Sequence, residues 1–91
     1  MHVIVQGIEK KYIFEKEIYK KKYLSLIKEN LEKFEIKLIA YVIMGNHVHM
    51  CLYHEDIRKL SKFMHIVNSK FASYYNYLEN RVGYVFRRRF F

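Results

Sequence analysis

The chain has no proline, only three glycines and a single cysteine in 91 residues. With so few breakers no linker is visible and no second domain is hidden, and this length gives one domain with a core just large enough to fold alone. A lone Cys51 cannot close an internal disulfide, which fits a reducing cytoplasm, and its simplest role is to fill space on a strand. Long apolar runs are missing too. The longest, residues 36–44, is interrupted by Lys37 and is too short to cross a bilayer. The N-terminus has no basic segment followed by a long apolar core, so no secretory signal is read there. No repeat or low-complexity tract is present. Hydrophobic residues still make up 52% of the chain and aromatics 18%, which excludes disorder.

Acidic residues are the other shortage. Nine Asp and Glu stand against 17 Lys and Arg, leaving a net charge of +8. Such a balance favours an anionic partner, with nucleic acid foremost. The run Lys20-Lys21-Lys22 reads as the solvated face of a helix. Arg87-Arg88-Arg89 differs, because its planar guanidinium forks lie among Tyr84, Phe86, Phe90 and Phe91. Arginines mixed with aromatics grip phosphates and stack on unpaired bases, although some of these rings belong to the core.

Apolar spacing orders the elements. Residues 2–6 alternate weakly and are rich in Val and Ile, giving a first strand that ends at Gly7, followed by a basic loop with Lys10 and Lys11. From about Phe14 to Phe34, apolar residues at Phe14, Ile18, Leu24, Ile27, Leu31 and Phe34 predict an amphipathic helix. Residues 36–44 and 47–53 form two strands around the turn Gly45-Asn46. Ile57, Leu60, Met64, Val67, Phe71, Tyr75 and Leu78 keep the spacing of the clearest helix in the chain. After Asn80, residues 82–91 return to β-type side chains. The order β-α-β-β-α-β predicts an α+β ferredoxin-like sandwich, an antiparallel sheet with both helices on one face and the first and third strands as central neighbours.

The most informative segment is Tyr41-Val42-Ile43-Met44-Gly45-Asn46-His47-Val48-His49. On a strand, His47 and His49 project from one face while Val48, Met50 and Leu52 point to the other. Two neutral imidazoles side by side on a rigid strand are half of a divalent-metal site. By spacing alone a pair of strand histidines is as readily a coincidence, and it is the tight turn before it that favours a metal.

This segment resembles the HUH motif, histidine-hydrophobic-histidine, of the single-tyrosine transposases. These include insertion-sequence enzymes and the REP-associated tyrosine transposases. His2-Val3-Ile4-Val5-Gln6-Gly7 with Ile13-Phe14 resembles their first strand and the start of their first helix. Residues 60–76, ending in Ser73-Tyr74-Tyr75-Asn76, resemble their second helix, and residues 81–90 the basic-aromatic stretch that follows. The resemblance implies binding of single-stranded or hairpin DNA by a homodimer. It also implies Mg²⁺ or Mn²⁺ held by His47 and His49, and attack of a tyrosine on the scissile phosphate to give a 5′-phosphotyrosine and a free 3′-hydroxyl. Lys10, Lys11, Asn46, Arg81, Arg87, Arg88 and Arg89 are the expected DNA contacts.

One departure matters. In the family the nucleophilic tyrosine, usually with a third metal ligand, lies on a further helix after the basic-aromatic stretch. On this alignment that helix is absent, so the expectation is a chain that holds metal and DNA without its own nucleophile. Tyr74, Tyr75 and Tyr77 read as packing residues on the second helix, Tyr53 and Tyr84 as possible open-face residues, and His54 and His65 as surface. His2 would face the metal if its register matched His47. A different class remains open: a small ferredoxin-like RNA- or DNA-binding module whose histidines carry no metal. A purely structural dimer is a third possibility.

Overall fold

Alternation decides the sheet. In the central strand β3 (His47–Tyr53), Val48, Met50 and Leu52 are buried while His47, His49 and Cys51 are half-buried. The computed structural model describes residues 1–87, so Arg88, Arg89, Phe90 and Phe91 lie outside the described residues. The other elements are β1 (His2–Gln6), a 3₁₀ turn (Ile8–Lys10), α1 (Glu17–Phe34), β2 (Lys37–Ile43) and α2 (Ile57–Leu78). The strands form one antiparallel sheet in the order β1-β3-β2. Val3 pairs with Met50 and Val5 with Val48, so both strands bury one set of side chains against the helices. The α+β fold and the central placing of the histidine strand agree with the sequence pattern.

Three details differ from that pattern. First, α1 begins at Glu17 rather than near Phe14, because Ile13 and Phe14 are buried in a turn, with the Phe14 N–H bonded to the Gly45 carbonyl at 2.9 Å. Second, the buried stripe of α1 is Tyr19, Tyr23, Leu26, Ile27 and Asn30, while Ile18 is half exposed. Tyrosine rings supply large apolar bodies whose hydroxyls need partners. Those of Tyr23 and Tyr19 donate to Asn68 Oδ1 at 2.7 Å and to Glu79 Oε2 at 2.5 Å. Third, the expected last strand is, among the described residues, one antiparallel bridge between Gly7 and Phe86. It is flanked by Ile8 N–H to Val85 O at 2.8 Å and Arg87 N–H to Gln6 O at 2.9 Å. The segment thus lies beside β1, the place of a fourth strand in a ferredoxin-like sheet, with Val85 and Phe86 buried.

The core is aromatic on the helix side. Phe71, fully buried, has ring centroids 5.3 Å from those of Phe14 and Tyr23 and 5.6 Å from that of Phe86. This cluster ties α1, α2, the first loop and the C-terminal segment behind the sheet, and among the described residues leaves the opposite face free.

Candidate metal and nucleic-acid site

The turn that presents the histidines is fixed from outside. Met44 N–H donates to the His47 carbonyl at 2.8 Å, closing a two-residue hairpin through Gly45 and Asn46. Gly7 N–H and Phe14 N–H donate to the carbonyls of Asn46 and Gly45 at 3.0 and 2.9 Å, so the loop after β1 clamps the turn. Gly45 does not have a positive φ. What favours glycine is space: a Cβ there would stand 2.8 Å from Cδ1 of Tyr12, so a larger residue would displace that ring.

Strand alternation then puts both imidazoles on the face away from the helices. Their centroids are 4.8 Å apart, with the rings inclined at 76°. His47 Nδ1 lies 2.6 Å from Asn46 Oδ1. An amide oxygen can only accept, so this contact suits the tautomer in which Nδ1 donates and Nε2 is the ring nitrogen left for a ligand. Asn46, expected to contact DNA, thus has its oxygen committed to His47. His49 is paired with Val42 on one side and Ile4 on the other, and His47 with Gln6. His2 does not match His47 in register, as its Cα partner is Cys51, yet its ring stacks on His49 at 5.5 Å between centroids. Among the described residues, no three His, Cys, Asp or Glu side chains are grouped to hold a metal ion. His47 and His49 would therefore supply two nitrogen donors and leave the rest of a coordination shell to other groups.

The basic residues divide into two kinds. Lys10 and Lys11 are exposed in the loop that clamps the turn, where Glu9 and Lys10 hold left-handed φ values of 54° and 58°. Arg87 lies against β1, with its guanidinium donating to Gln6 Oε1 at 2.9 Å, on the residue that faces His47. Arg81 is occupied within the chain. It donates to Asn76 Oδ1 at 2.6 Å and to the Tyr84 carbonyl at 3.0 Å, and its guanidinium lies over the Tyr75 ring. Arg81 ties the C-terminal segment to α2. Arg88 and Arg89 lie outside the described residues.

Tyr19 and Tyr23 are buried in the core, and Tyr74 and Tyr75 pack against it. Burial pushes the Tyr23 hydroxyl well above its ordinary range, and burial with the Glu79 hydrogen bond does the same to Tyr19. Burial also raises Tyr75. Tyr53 shares the alternation of the histidines but stands roughly 13 Å along the strand from His49. Tyr12 sits at the turn, a position that no periodicity in the sequence marks; only the glycine at position 45 hints that something lies close.

A family model described as "Transposase IS200 like" matches residues 1–91. The chain belongs to that family. No curated protein matches it. Membership in the IS200-like transposases agrees with the sequence resemblance over its whole extent and connects the chain to DNA transposition. No helix among the described residues of this IS200-like chain is long and apolar enough to cross a membrane.

Proposed function

We propose that this IS200-like domain binds single-stranded or hairpin DNA and holds a divalent ion, Mg²⁺ or Mn²⁺, at His47 and His49 for strand cleavage and rejoining. The observation that carries this reading is the Asn46–His47 hydrogen bond. It favours the tautomer that leaves Nε2 of His47 available, beside His49 on the face of the strand away from the helices. Two imidazoles bind a hard cation weakly, so a DNA phosphate would have to help complete the shell. Ion binding is then expected to depend on DNA. When bound, the ion would draw charge from the phosphate oxygens as it builds up. The chain's own groups hold and orient: Asn46 keeps the His47 ring in place, and Lys10, Lys11 and Arg87 neutralise the phosphates that flank the reacting one.

In the reaction of this family a tyrosine oxygen bonds to the scissile phosphorus and the 3′ oxygen leaves, taking a proton to become a free hydroxyl. We assign that tyrosine to a segment outside residues 1–91. The raised hydroxyls of Tyr19, Tyr23 and Tyr75 lie in the helical layer. Tyr74 and Tyr77 are on α2, and Tyr53 is remote along the strand. Tyr12 touches the turn before His47. A homodimer and a cytoplasmic setting belong to the same proposal. The edge strand β2 exposes Ile39, Tyr41 and Val42, an apolar surface suited to a second copy.

The test incubates the chain with labelled hairpin and single-stranded DNA, with and without Mn²⁺, on denaturing and native gels. DNA binding without a covalent adduct supports the assignment. A metal-dependent adduct lost in Tyr12→Phe would move the nucleophile into this chain. DNA affinity that is indifferent to metal and to His49→Ala would favour the metal-free binding module.

A further inference from the structure

Tyr12 is an exposed ring at the turn before the histidines that core packing does not explain. Its ring is 66% exposed, although the next two residues, Ile13 and Phe14, are buried to 1% and 0%. The ring rests on the backbone of Gly45, so closely that a Cβ there would meet Cδ1 at 2.8 Å. Around it the chain is pinned by Ile13 N–H to Lys11 O at 3.0 Å, Phe14 N–H to Gly45 O at 2.9 Å and Glu15 N–H to Tyr12 O at 3.3 Å. Lys10 and Lys11 immediately precede it, and Glu9 and Lys10 keep left-handed backbone angles that L residues seldom adopt. Strained loop residues persist where the surroundings hold them, and they gather at binding sites.

We infer that Tyr12 is a stacking platform for one unpaired base of the bound DNA strand, next to the nucleotide whose phosphate lies at His47 and His49. This rests on the proposed DNA-binding function and adds a subsite to it. Exposed aromatic rings take any base by its flat face, and stacking is tolerant of sequence. A ring already held in place loses little freedom on binding. The two lysines beside it suit the phosphates on either side of such a base. Gly45 lies two residues before His47, which puts the platform at the His47 end of the histidine pair. Glycine at position 45 then has a functional reason: a side chain there would lift the ring from its seat.

Fluorescence anisotropy with single-stranded and fully paired DNA of the same sequence tests this. Tyr12→Ala is expected to weaken single-strand binding about tenfold, the equivalent of roughly 1.4 kcal/mol, and to leave duplex binding unchanged. Tyr12→Phe keeps the ring and should bind like wild type, while Gly45→Ala, which displaces the ring, should fall between. Lys10→Ala and Lys11→Ala should instead weaken both DNA forms and lower the salt dependence. Three results would overturn the assignment while leaving DNA binding intact: wild-type affinity in Tyr12→Ala, an equal loss on single-stranded and duplex DNA, or a Tyr12→Phe defect as large as that of alanine. No binding of any DNA by wild type at low salt would overturn the subsite and the proposed function together.

Discussion

The imidazole of His2 lies stacked on that of His49, with ring centroids 5.5 Å apart and planes inclined by 22°. The two residues are not direct cross-strand partners. His2 is opposite Cys51, and Ile4 is opposite His49, so the stack is a diagonal contact across the β1–β3 pair. Diagonal neighbours on one face of a sheet are within reach of ring side chains. Parallel stacking restrains the His49 ring. His2→Ala is therefore expected to weaken divalent-ion binding in the presence of DNA, and His2→Phe to restore most of it. Equal loss in both variants would show that the His2 nitrogens, rather than its ring face, matter.

Asn46 should act through His47. Removing a hydrogen-bond partner behind a metal-binding histidine typically lowers metal affinity about 10- to 100-fold. Asn46→Ala is expected to fall in that range in a Mn²⁺ titration with single-stranded DNA. Asn46→Asp, which keeps an accepting oxygen 2.6 Å from Nδ1, should lose less. An alanine variant that binds Mn²⁺ like wild type would mean the ring needs no such support.

A pH dependence follows from the contact between Tyr19 and Glu79, which holds the start of α1 to the end of α2. The hydrogen bond from Tyr19 holds the Glu79 carboxyl below its ordinary value of 4.5, with Lys16 adding to the effect. A depressed carboxyl in the folded state stabilises fully above the unfolded value, and that stability is lost as pH falls through the folded one. Tyr19 shifts upward, so its contribution is complete below pH 10 and declines above it. Urea midpoints should therefore fall below about pH 4.5 and again in strong alkali. Glu79→Gln should flatten the acid limb, and an unchanged acid limb would show that the contact contributes nothing in solution.

Much of this was legible in the residues. The alternation Val48, Met50, Leu52 against His47, His49, Cys51 fixed the face of the histidines, and the spacing from Leu60 to Phe71 fixed the buried side of α2. The stripe of α1 is right at Ile27, Leu31 and Phe34 and wrong at its start, because Ile18 counts as apolar and Tyr19 and Tyr23 count only in part. In the fold, the tyrosines are buried with their hydroxyls paired, and Ile18 is half exposed. The His2 contact depends on register, which a single sequence does not give. The commitment of Asn46 to His47 and of Arg81 to Asn76 and Tyr84 likewise needed geometry, since both residue types are equally at home on DNA. Tyr12 carried no periodic signal at all.

The central claim is that the histidine face holds a divalent ion together with DNA. The direct measurement is the electron paramagnetic resonance signal of free Mn²⁺, titrated with the chain in the presence and absence of single-stranded DNA. The expected result is loss of free-ion signal only when DNA is present, abolished in His47→Ala and in His49→Ala. A signal that stays unchanged with wild-type protein and DNA, or that falls equally in the His49→Ala variant, would contradict it.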